Sequence, residues 1–261
     1  MNRFRRALLD RTLTIGSWIQ LSSPAIAEIM AQAGYEWLCV DCEHTEMQVA
    51  ELAAHARAMQ AYGPAPLCRV QSCETMAIRR ALDMGVQGVV VPLVNSPEQA
   101  ELAVAAAKYP PRGIRGHAYH RGNGFGAQFD AYAQQANDEI AVVVMIESRQ
   151  AVEQIDAIMA VDGVDAAFIG PYDMSGSYGC PGATSSPVIL DACDAVVAAC
   201  RRAGKTAGLH VVHPTAESVR RTVDAGFTLL ALSADTIYLR QASHGALASV
   251  RQWLDPANTK A

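Results

Sequence analysis

One phrase of apolar and polar positions recurs along the chain: a stretch with helical spacing, a glycine near its end, then a short aliphatic run. It appears as IAEIMAQAGYEWLCVD, AIRRALDMGVQGVVVPL, IDAIMAVDGVDAAFIG, CDAVVAACRRAGKTAGLHVV and VRRTVDAGFTLLALSAD. Gly34, Gly85, Gly204 and Gly226 fall where a left-handed residue would end each helix. The aliphatic runs are continuous instead of alternating, which is how parallel strands read when both faces are buried.

Strands are expected near 13–18, 36–41, 66–70, 88–91, 140–146, 164–169, 206–211 and 228–232, with helices between them. Eight βα units is the count of a (β/α)₈ TIM barrel. A doubly wound open sheet is the rival, but IGSWIQLSSP stands after the first strand where a Gly-rich dinucleotide fingerprint would be needed. The segment 108–138, KYPPRGIRGHAYHRGNGFGAQFDAYAQQAND, reads as irregular, and loops that long are usually functional. No linker or composition break divides the chain, so one domain over 1–261 is expected.

Composition narrows the function. Of 261 residues, 51% are hydrophobic and 18% charged, with a net charge of −5. Wholesale disorder is excluded, and so is the basic footprint that a nucleic-acid backbone requires. Charge recurs in MNRFRRALLDRTLTIG before a signal-peptide core can form, and no apolar run approaches the roughly 20 residues of a membrane span. A cytoplasmic enzyme acting on small molecules is the expectation. Seven cysteines in so large a chain point to reduced thiols. Cys39 and Cys42 form a C-x-x-C at a strand end instead of a helix start, with no second pair at zinc-ribbon spacing, so neither zinc nor redox chemistry is assigned to them.

In a barrel the active site lies where strands end and βα loops begin. At those edges stand Asp41, Glu43 and His44 after strand two, Arg69 near the end of strand three, Glu147 after strand five and Asp173 after strand six. Each has a plainer reading. Asp41 could cap a helix or pair with Arg69, His44 could be a surface residue, Asp173 could cap the turn DMSG, and Glu43 could simply complete its turn. An ionised Glu147 after AVVVMI is harder to dismiss, since it is nearly enclosed and needs a cation or donor. Two carboxylates from adjacent strands suit Mg²⁺ or Mn²⁺ better than zinc and leave positions for the ketone and carboxylate oxygens of a 2-oxo acid. Arg69 would add positive charge where an enolate oxygen develops, and His44, oriented by Asp41, would transfer the proton.

With these residues in place, the sequence resembles the HpcH/HpaI family of metal-dependent class II pyruvate aldolases, which includes 4-hydroxy-2-oxoheptanedioate and 2-dehydro-3-deoxyglucarate aldolases. The likeness runs from IGSWIQLSSPAIAEIMAQAGYEWLCVDCEH through KYPPRGIRG to VDGVDAAFIGPYDMS. The resemblance implies Glu147 and Asp173 as metal ligands, for Mg²⁺, Mn²⁺ or Co²⁺, His44 with Asp41 as the catalytic dyad, and Arg69 as the enolate-stabilising arginine. It implies the backbone of Gly170, Pro171 and Tyr172 as the turn that holds the pyruvate carboxylate, and Arg121 as a loop arginine near the second substrate. Asp83 would reach a neighbouring subunit's site. The implied reaction is reversible cleavage of a 4-hydroxy-2-oxo acid to pyruvate and an aldehyde, in sugar-acid or aromatic catabolism. A homohexamer with the last helix exchanged between subunits is implied as well.

Several positions depart from the family pattern. Met145 stands where Gln is common and should point into the barrel below the cation. His210 replaces an aliphatic residue of the aldehyde pocket, LSAD replaces the usual VGVD after strand eight, and CEHTEM replaces GEHAP. The pairs His117-x-x-His120 and His210-x-x-His213 are not helical, so their spacing does not make a metal site. His117, His120 and His210 are instead expected to line the pocket as hydrogen-bond donors. Two alternatives stand beside the aldolase. A lyase or hydrolase on another 2-oxo or CoA-linked acid would need a basic cluster that the sequence lacks, and a non-catalytic 2-oxo-acid binder is opposed by the intact set Asp41, His44, Arg69, Glu147 and Asp173.

Overall fold

The computed structural model describes residues 1–255. In chain order the elements are α1 (Arg3–Asp10), β1 (Thr14–Ile19), α2 (Pro24–Gln32), β2 (Trp37–Asp41), α3 (Val49–Gln60), β3 (Ala65–Arg69), α4 (Thr75–Asp83) and β4 (Gly88–Val91). There follow α5 (Pro97–Ala107), a 3₁₀ segment (Arg121–Gly126), α6 (Phe129–Glu139), β5 (Ala141–Ile146), α7 (Arg149–Glu153), α8 (Ile155–Ala160), β6 (Ala166–Ile169) and α9 (Pro171–Ser177). The chain closes with α10 (Pro187–Ala203), β7 (Thr206–Val211), α11 (Ala216–Asp224), β8 (Leu229–Ala234) and α12 (Asp235–Trp253). The strands pair in parallel in sequence order, and β8 returns to β1, so the sheet is a closed barrel.

Four of the expected helix ends have the expected cause. Gly34, Gly85, Gly204 and Gly226 all carry positive φ, the left-handed conformation that stops a helix without a Cβ clash. Two expectations change. The segment 108–138 is not all irregular, since FDAYAQQANDE forms α6. Only Ala136 of that helix is buried, so its apolar stripe was too thin to read. The last strand runs two residues further than expected, to Ala234, through a left-handed turn at Ser233 (φ 50°) that polar LSAD did not announce.

Burial divides into two shells. One apolar cluster fills the space between strands and helices, and a second fills the barrel interior. The interior packs by pairing large with small. A Cβ at Gly16 would lie 2.0 Å from the Trp37 ring, and one at Gly208 would lie 2.6 Å from Phe168, so each ring occupies room that a glycine leaves. At the N-terminal end of the strands α1 acts as a plug. It inserts Phe4 and Leu8 into the interior cluster, and Arg5 Nε donates to both carboxylate oxygens of buried Asp165 at 3.0 and 3.1 Å. With α1 filling that end of the barrel interior, the interior opens at the C-terminal ends of the strands, where barrel sites lie.

The cysteines behave as free thiols. Cys39 points into the barrel interior, while Cys42 sits in the outer shell with its Sγ 3.7 Å from that of Cys68, so the C-x-x-C residues diverge. Among the described residues, no helix is long and apolar enough to cross a membrane.

Candidate active site

The site grows from the register of β2 against β3, which sets Asp41 directly beside Arg69. Arg69 grips the carboxylate bidentately, Nε to Oδ1 at 2.9 Å and Nη2 to Oδ2 at 2.5 Å. Asp41 is fully enclosed, and Gln20 Nε2 donates to its Oδ2 at 3.2 Å. The guanidinium carbon lies 4.8 Å from the centroid of the Trp18 ring, a cation–π contact that fixes the arginine from below. Burial by itself would raise Asp41, but the hydrogen bond and charge of Arg69 hold its carboxyl below the ordinary value. Arg69 moves the opposite way, upward, for the same reason: burial would lower it and Asp41 more than offsets that.

The structure corrects the role given to Asp41. Its Oδ1 accepts from the backbone N–H groups of Glu43 and His44, at 3.1 and 3.3 Å, and makes no bond to the His44 ring. Asp41 therefore shapes the turn and holds Arg69, and the imidazole instead faces Glu43, with Nε2 3.6 Å from Oε2. Glu43 does more than complete a turn. Its Oε2 lies 3.1 Å from Arg69 Nη1 yet is enclosed without a properly angled hydrogen bond. Burial raises its carboxyl, Arg69 and His44 pull it back, and the charges of Asp41 and Asp173 raise it again.

Glu147 follows β5, whose six residues are all buried, and is itself only 5% exposed. Its Oε1 accepts from the backbone N–H of Leu93 at 2.7 Å. Burial pushes its carboxyl up to about 6, opposed by the Leu93 bond and Arg69 and reinforced by the charges of Glu43 and Asp173. Glu43 and Glu147 are thus both costly to ionise beside the charge of Asp173, which is the electrostatic situation that a divalent cation relieves. The backbone makes room for it: a Cβ at Gly170 would lie 2.8 Å from Glu147 Oε2. Among the described residues no group of three or more His, Cys, Asp or Glu side chains is arranged to hold a metal ion; the donors expected from the sequence, Glu147 and Asp173, are two carboxylates, the chemistry that suits an oxygen-preferring cation. Gly170→Ala is expected to lower Mn²⁺ affinity about tenfold or more in a calorimetric titration, because the new methyl displaces Oε2. Its circular dichroism should match that of the parent.

Asp173 lines a cavity of about 350 Å³ together with Arg69, Gly170, Pro171, Tyr172, Met145 and His210. Met145 is buried in the interior cluster just as strand alternation requires. Two residues missed in the sequence belong here as well. Asp235 accepts from the backbone N–H groups of Gln20 and Leu21, at 2.9 Å each through Oδ1 and Oδ2, and so ties the end of β1 to the start of α12. Gln20 then bridges to Asp41. Both stand at strand ends, so the test applied to strands two to six would have found them on strands one and eight.

Arg121, His117 and His120 lie outside this chain's own cavity, and so does Asp83, for which a neighbouring subunit's site is the expectation. Arg121 donates to the Met84 carbonyl at 2.6 Å and to Gln60 Oε1 at 2.7 Å, at the C-terminal ends of α4 and α3, so within this chain it sits at the far end of the barrel. His117 stacks on Tyr109 with ring centroids 4.2 Å apart, and His120 Nε2 lies 3.3 Å from Tyr109 Oη. Neither lines the cavity. Asp83 is there too, accepting from Arg115 Nη2 at 2.9 Å.

Comparison with known proteins agrees with this geometry. The family model HpcH/HpaI aldolase/citrate lyase matches residues 14–242. The chain is 37% identical over 243 residues to the 5-keto-4-deoxy-D-glucarate aldolase of Escherichia coli, covering 93% of this chain and 94% of the relative. The crystal structure of an HpcH/HpaI aldolase/citrate lyase family protein from Burkholderia cenocepacia matches with a TM-score of 0.92 at 35% identity, over 96% of this chain and 100% of that one. An HpcH/HpaI aldolase from Desulfitobacterium hafniense gives 0.88 at 30% identity, over 96% and 97%. The strand-end carboxylates, the partly buried arginine and these matches lead to one conclusion: the chain belongs to the HpcH/HpaI aldolase/citrate lyase family of carbon–carbon lyases.

Proposed function

We propose that the chain is a divalent-cation-dependent aldolase that reversibly cleaves a 4-hydroxy-2-oxo acid to pyruvate and an aldehyde. The observation that carries this reading is the convergence of the Asp41–Arg69 pair with Glu43, Glu147 and Asp173 at one end of a barrel whose other end is plugged. Glu147 and Asp173 would hold Mg²⁺, Mn²⁺ or Co²⁺, which supplies Lewis-acid polarisation of the substrate ketone.

The chain's own groups do the rest. The Gly170 N–H is committed to the Ile146 carbonyl at 3.2 Å and Pro171 has none, so the carboxylate of the oxo acid is left to the first-turn amides of Tyr172 and Asp173, which have no acceptor within α9. With Nε and one hydrogen of Nη2 on Asp41 and Nη1 beside Glu43 Oε2, Arg69 offers the second hydrogen of Nη2 to the developing enolate oxygen. His44 Nε2, exposed at the rim and beside Glu43, removes the 4-hydroxyl proton in cleavage and returns it in addition. The first substrate to try is 5-keto-4-deoxy-D-glucarate, on which the relatives are named to act.

The decisive measurement is NMR of pyruvate in D₂O with the protein and Mg²⁺, Mn²⁺ or Co²⁺. Cation-dependent exchange of the methyl protons is expected, and no exchange with any of the three would sink the reading.

The assembly is proposed to be a hexamer with α12 exchanged between subunits. Asp235 is the one buried residue of α12, and Leu239, Leu247, Val250 and Trp253 are exposed along it, an apolar stripe with no partner among the described residues. Asp83, remote from its own cavity, would serve a neighbour's. Sedimentation equilibrium should give six chains, and Leu247→Asp should shift the distribution toward smaller species.

A further inference from the structure

The register of β2 against β3 brings two thiols onto one face. Val40 lies opposite Cys68, and the Cys42 N–H donates to the Arg69 carbonyl at 3.0 Å, which carries the ladder one residue on and sets Cys42 opposite Val70. Side chains alternate along a strand, so Cys42 and Cys68 both point outward, into the shell between strands and helices. Cys68 Sγ lies 3.7 Å from Cys42 Sγ and donates toward it. It also lies 3.4 Å from the Arg69 carbonyl, so the peptide of Arg69 is bonded to both cysteines.

The pair can be reached from outside. Both cysteines line a cavity of about 240 Å³ between α3 and α4, whose wall also includes Gln48, Gln71 and Arg80, all exposed. Cys42 is 7% exposed and Cys68 1%, so a small reagent entering the cavity meets Cys42 first. The Cys68 hydrogen bond holds the Cys42 thiol below its ordinary value, against burial and the charges of Asp41 and Glu51, while the same bond and burial push Cys68 up. Cys42 is therefore the nucleophile and Cys68 the thiol beside it. Cys39 points into the barrel interior and takes no part. Cys73 and Cys180 are more exposed, but their sulfurs partner the Gln99 carbonyl and the Ser186 hydroxyl, not a second thiol.

We propose that Cys42 and Cys68 are a modification site for hydroperoxides, closing to a disulfide that displaces the Asp41–Arg69 pair. The Cys42 thiolate attacks the terminal peroxide oxygen: the S–O bond forms, the O–O bond breaks, and the leaving alkoxide or hydroxide takes up the proton that Cys42 released. Cys68 then attacks the sulfenic sulfur: the S–S bond forms, the S–O bond breaks, and the departing hydroxide leaves as water with the Cys68 proton. Two thiols are oxidised and one peroxide is reduced. The bond brings the sulfurs to about 2.05 Å. Cys42 directly follows Asp41 and Cys68 directly precedes Arg69, so closure moves the carboxylate and guanidinium that face each other across the strands. The covalent step stands apart from the aldolase reading; only its effect on turnover rests on that reading.

The test treats the full chain, freed of divalent cations with EDTA, with graded hydrogen peroxide. The mass should fall by two hydrogens as two of the seven thiols are lost, peptide mapping should find Cys42 joined to Cys68, and a dithiol should reverse both changes. In Cys68→Ala, dimedone should trap a sulfenic acid on Cys42; in Cys42→Ala, Cys68 should stay reduced. Oxidation of Cys73 or Cys180 ahead of the pair, or of Cys42 to a sulfinic acid without a link to Cys68, overturns the proposal whether or not the variants fold. Displacement is read from the ¹⁵N resonance of Arg69 Nε–H, which should shift on oxidation and return with dithiol; an unshifted resonance overturns the coupling to Asp41. After removal of peroxide and addition of Mg²⁺, methyl-proton exchange of pyruvate should be about 10²-fold slower in the linked form. A linked protein that exchanges at the reduced rate overturns the effect on turnover, whereas no exchange in the reduced parent overturns the aldolase reading, with the mass and the resonance still deciding the cross-link.

Discussion

Arg69→Ala is expected to lower kcat by about 10²–10³, the usual loss when one aimed donor is removed from a developing oxyanion. The same substitution should destabilise the fold. Asp41 is fully enclosed and holds both its oxygens against the guanidinium, so the variant leaves a buried carboxylate with only Gln20 and two backbone amides. Breaking one side of a buried pair costs about 3–5 kcal/mol. The pH dependence separates this from a loss of packing. In the parent, the depressed Asp41 carboxyl contributes stability that is present above its unfolded value and lost as pH falls through the lower folded value. In Arg69→Ala burial acts with little opposition and the folded value rises above the unfolded one. The deficit should then be largest near neutral pH and shrink as acid neutralises the buried group. Urea denaturation from pH 8 to pH 4 measures this directly; a deficit independent of pH would show that lost packing around Trp18 is the cause. Arg69→Lys should recover part of the stability but little turnover, since an ammonium cannot grip Asp41 bidentately and face the substrate as well.

The barrel was legible because its strands are short, aliphatic and buried on both sides, as AVVVMI in β5 illustrates, and because glycines with positive φ mark the helix ends. The reactive end was legible because polar residues directly after such runs are costly unless used. The residues that sit away from this chain's own cavity do so for a topological cause. Arg121, His117 and His120 lie between α5 and β5, an αβ connection, and such connections run at the N-terminal end of the strands. Gly, Pro and Arg content made the segment look functional, yet its place in the order of elements already put it at the opposite end from Glu147. The orientation of His44 was illegible for a different reason. Asp41 and His44 are three residues apart, and only the folded turn shows that the carboxylate bonds the histidine's amide and not its ring. The donor expected of His210 is committed likewise, because its Nε2 hydrogen goes to the Ser233 carbonyl, 2.9 Å away across from β7 to β8.

Glu147→Gln should produce opposite changes in stability and in cation binding. With its folded carboxyl raised to about 6 by burial and by neighbouring Glu43 and Asp173, an ionised Glu147 costs stability above that pH, and the cost is relieved as pH falls toward the unfolded value. A neutral amide of the same shape can still accept from Leu93 N–H, and it removes the penalty. At pH 7.5 and without divalent cation the variant should be more stable than the parent, by an amount on the order of 2 kcal/mol. Adding Mn²⁺ should raise the Tm of the parent and leave that of Glu147→Gln nearly unmoved, since ligand binding to the native state is what stabilises it. Asp173→Asn should lose cation affinity as well, by about 100-fold or more in calorimetry, but without the gain in stability, because Asp173 is exposed at the rim and is not enclosed as Glu147 is. A Glu147→Gln variant that bound Mn²⁺ as tightly as the parent would place the cation elsewhere. One that was destabilised without cation would show that the carboxylate is held by the fold for packing, and that its cost of ionisation is not stored for a metal.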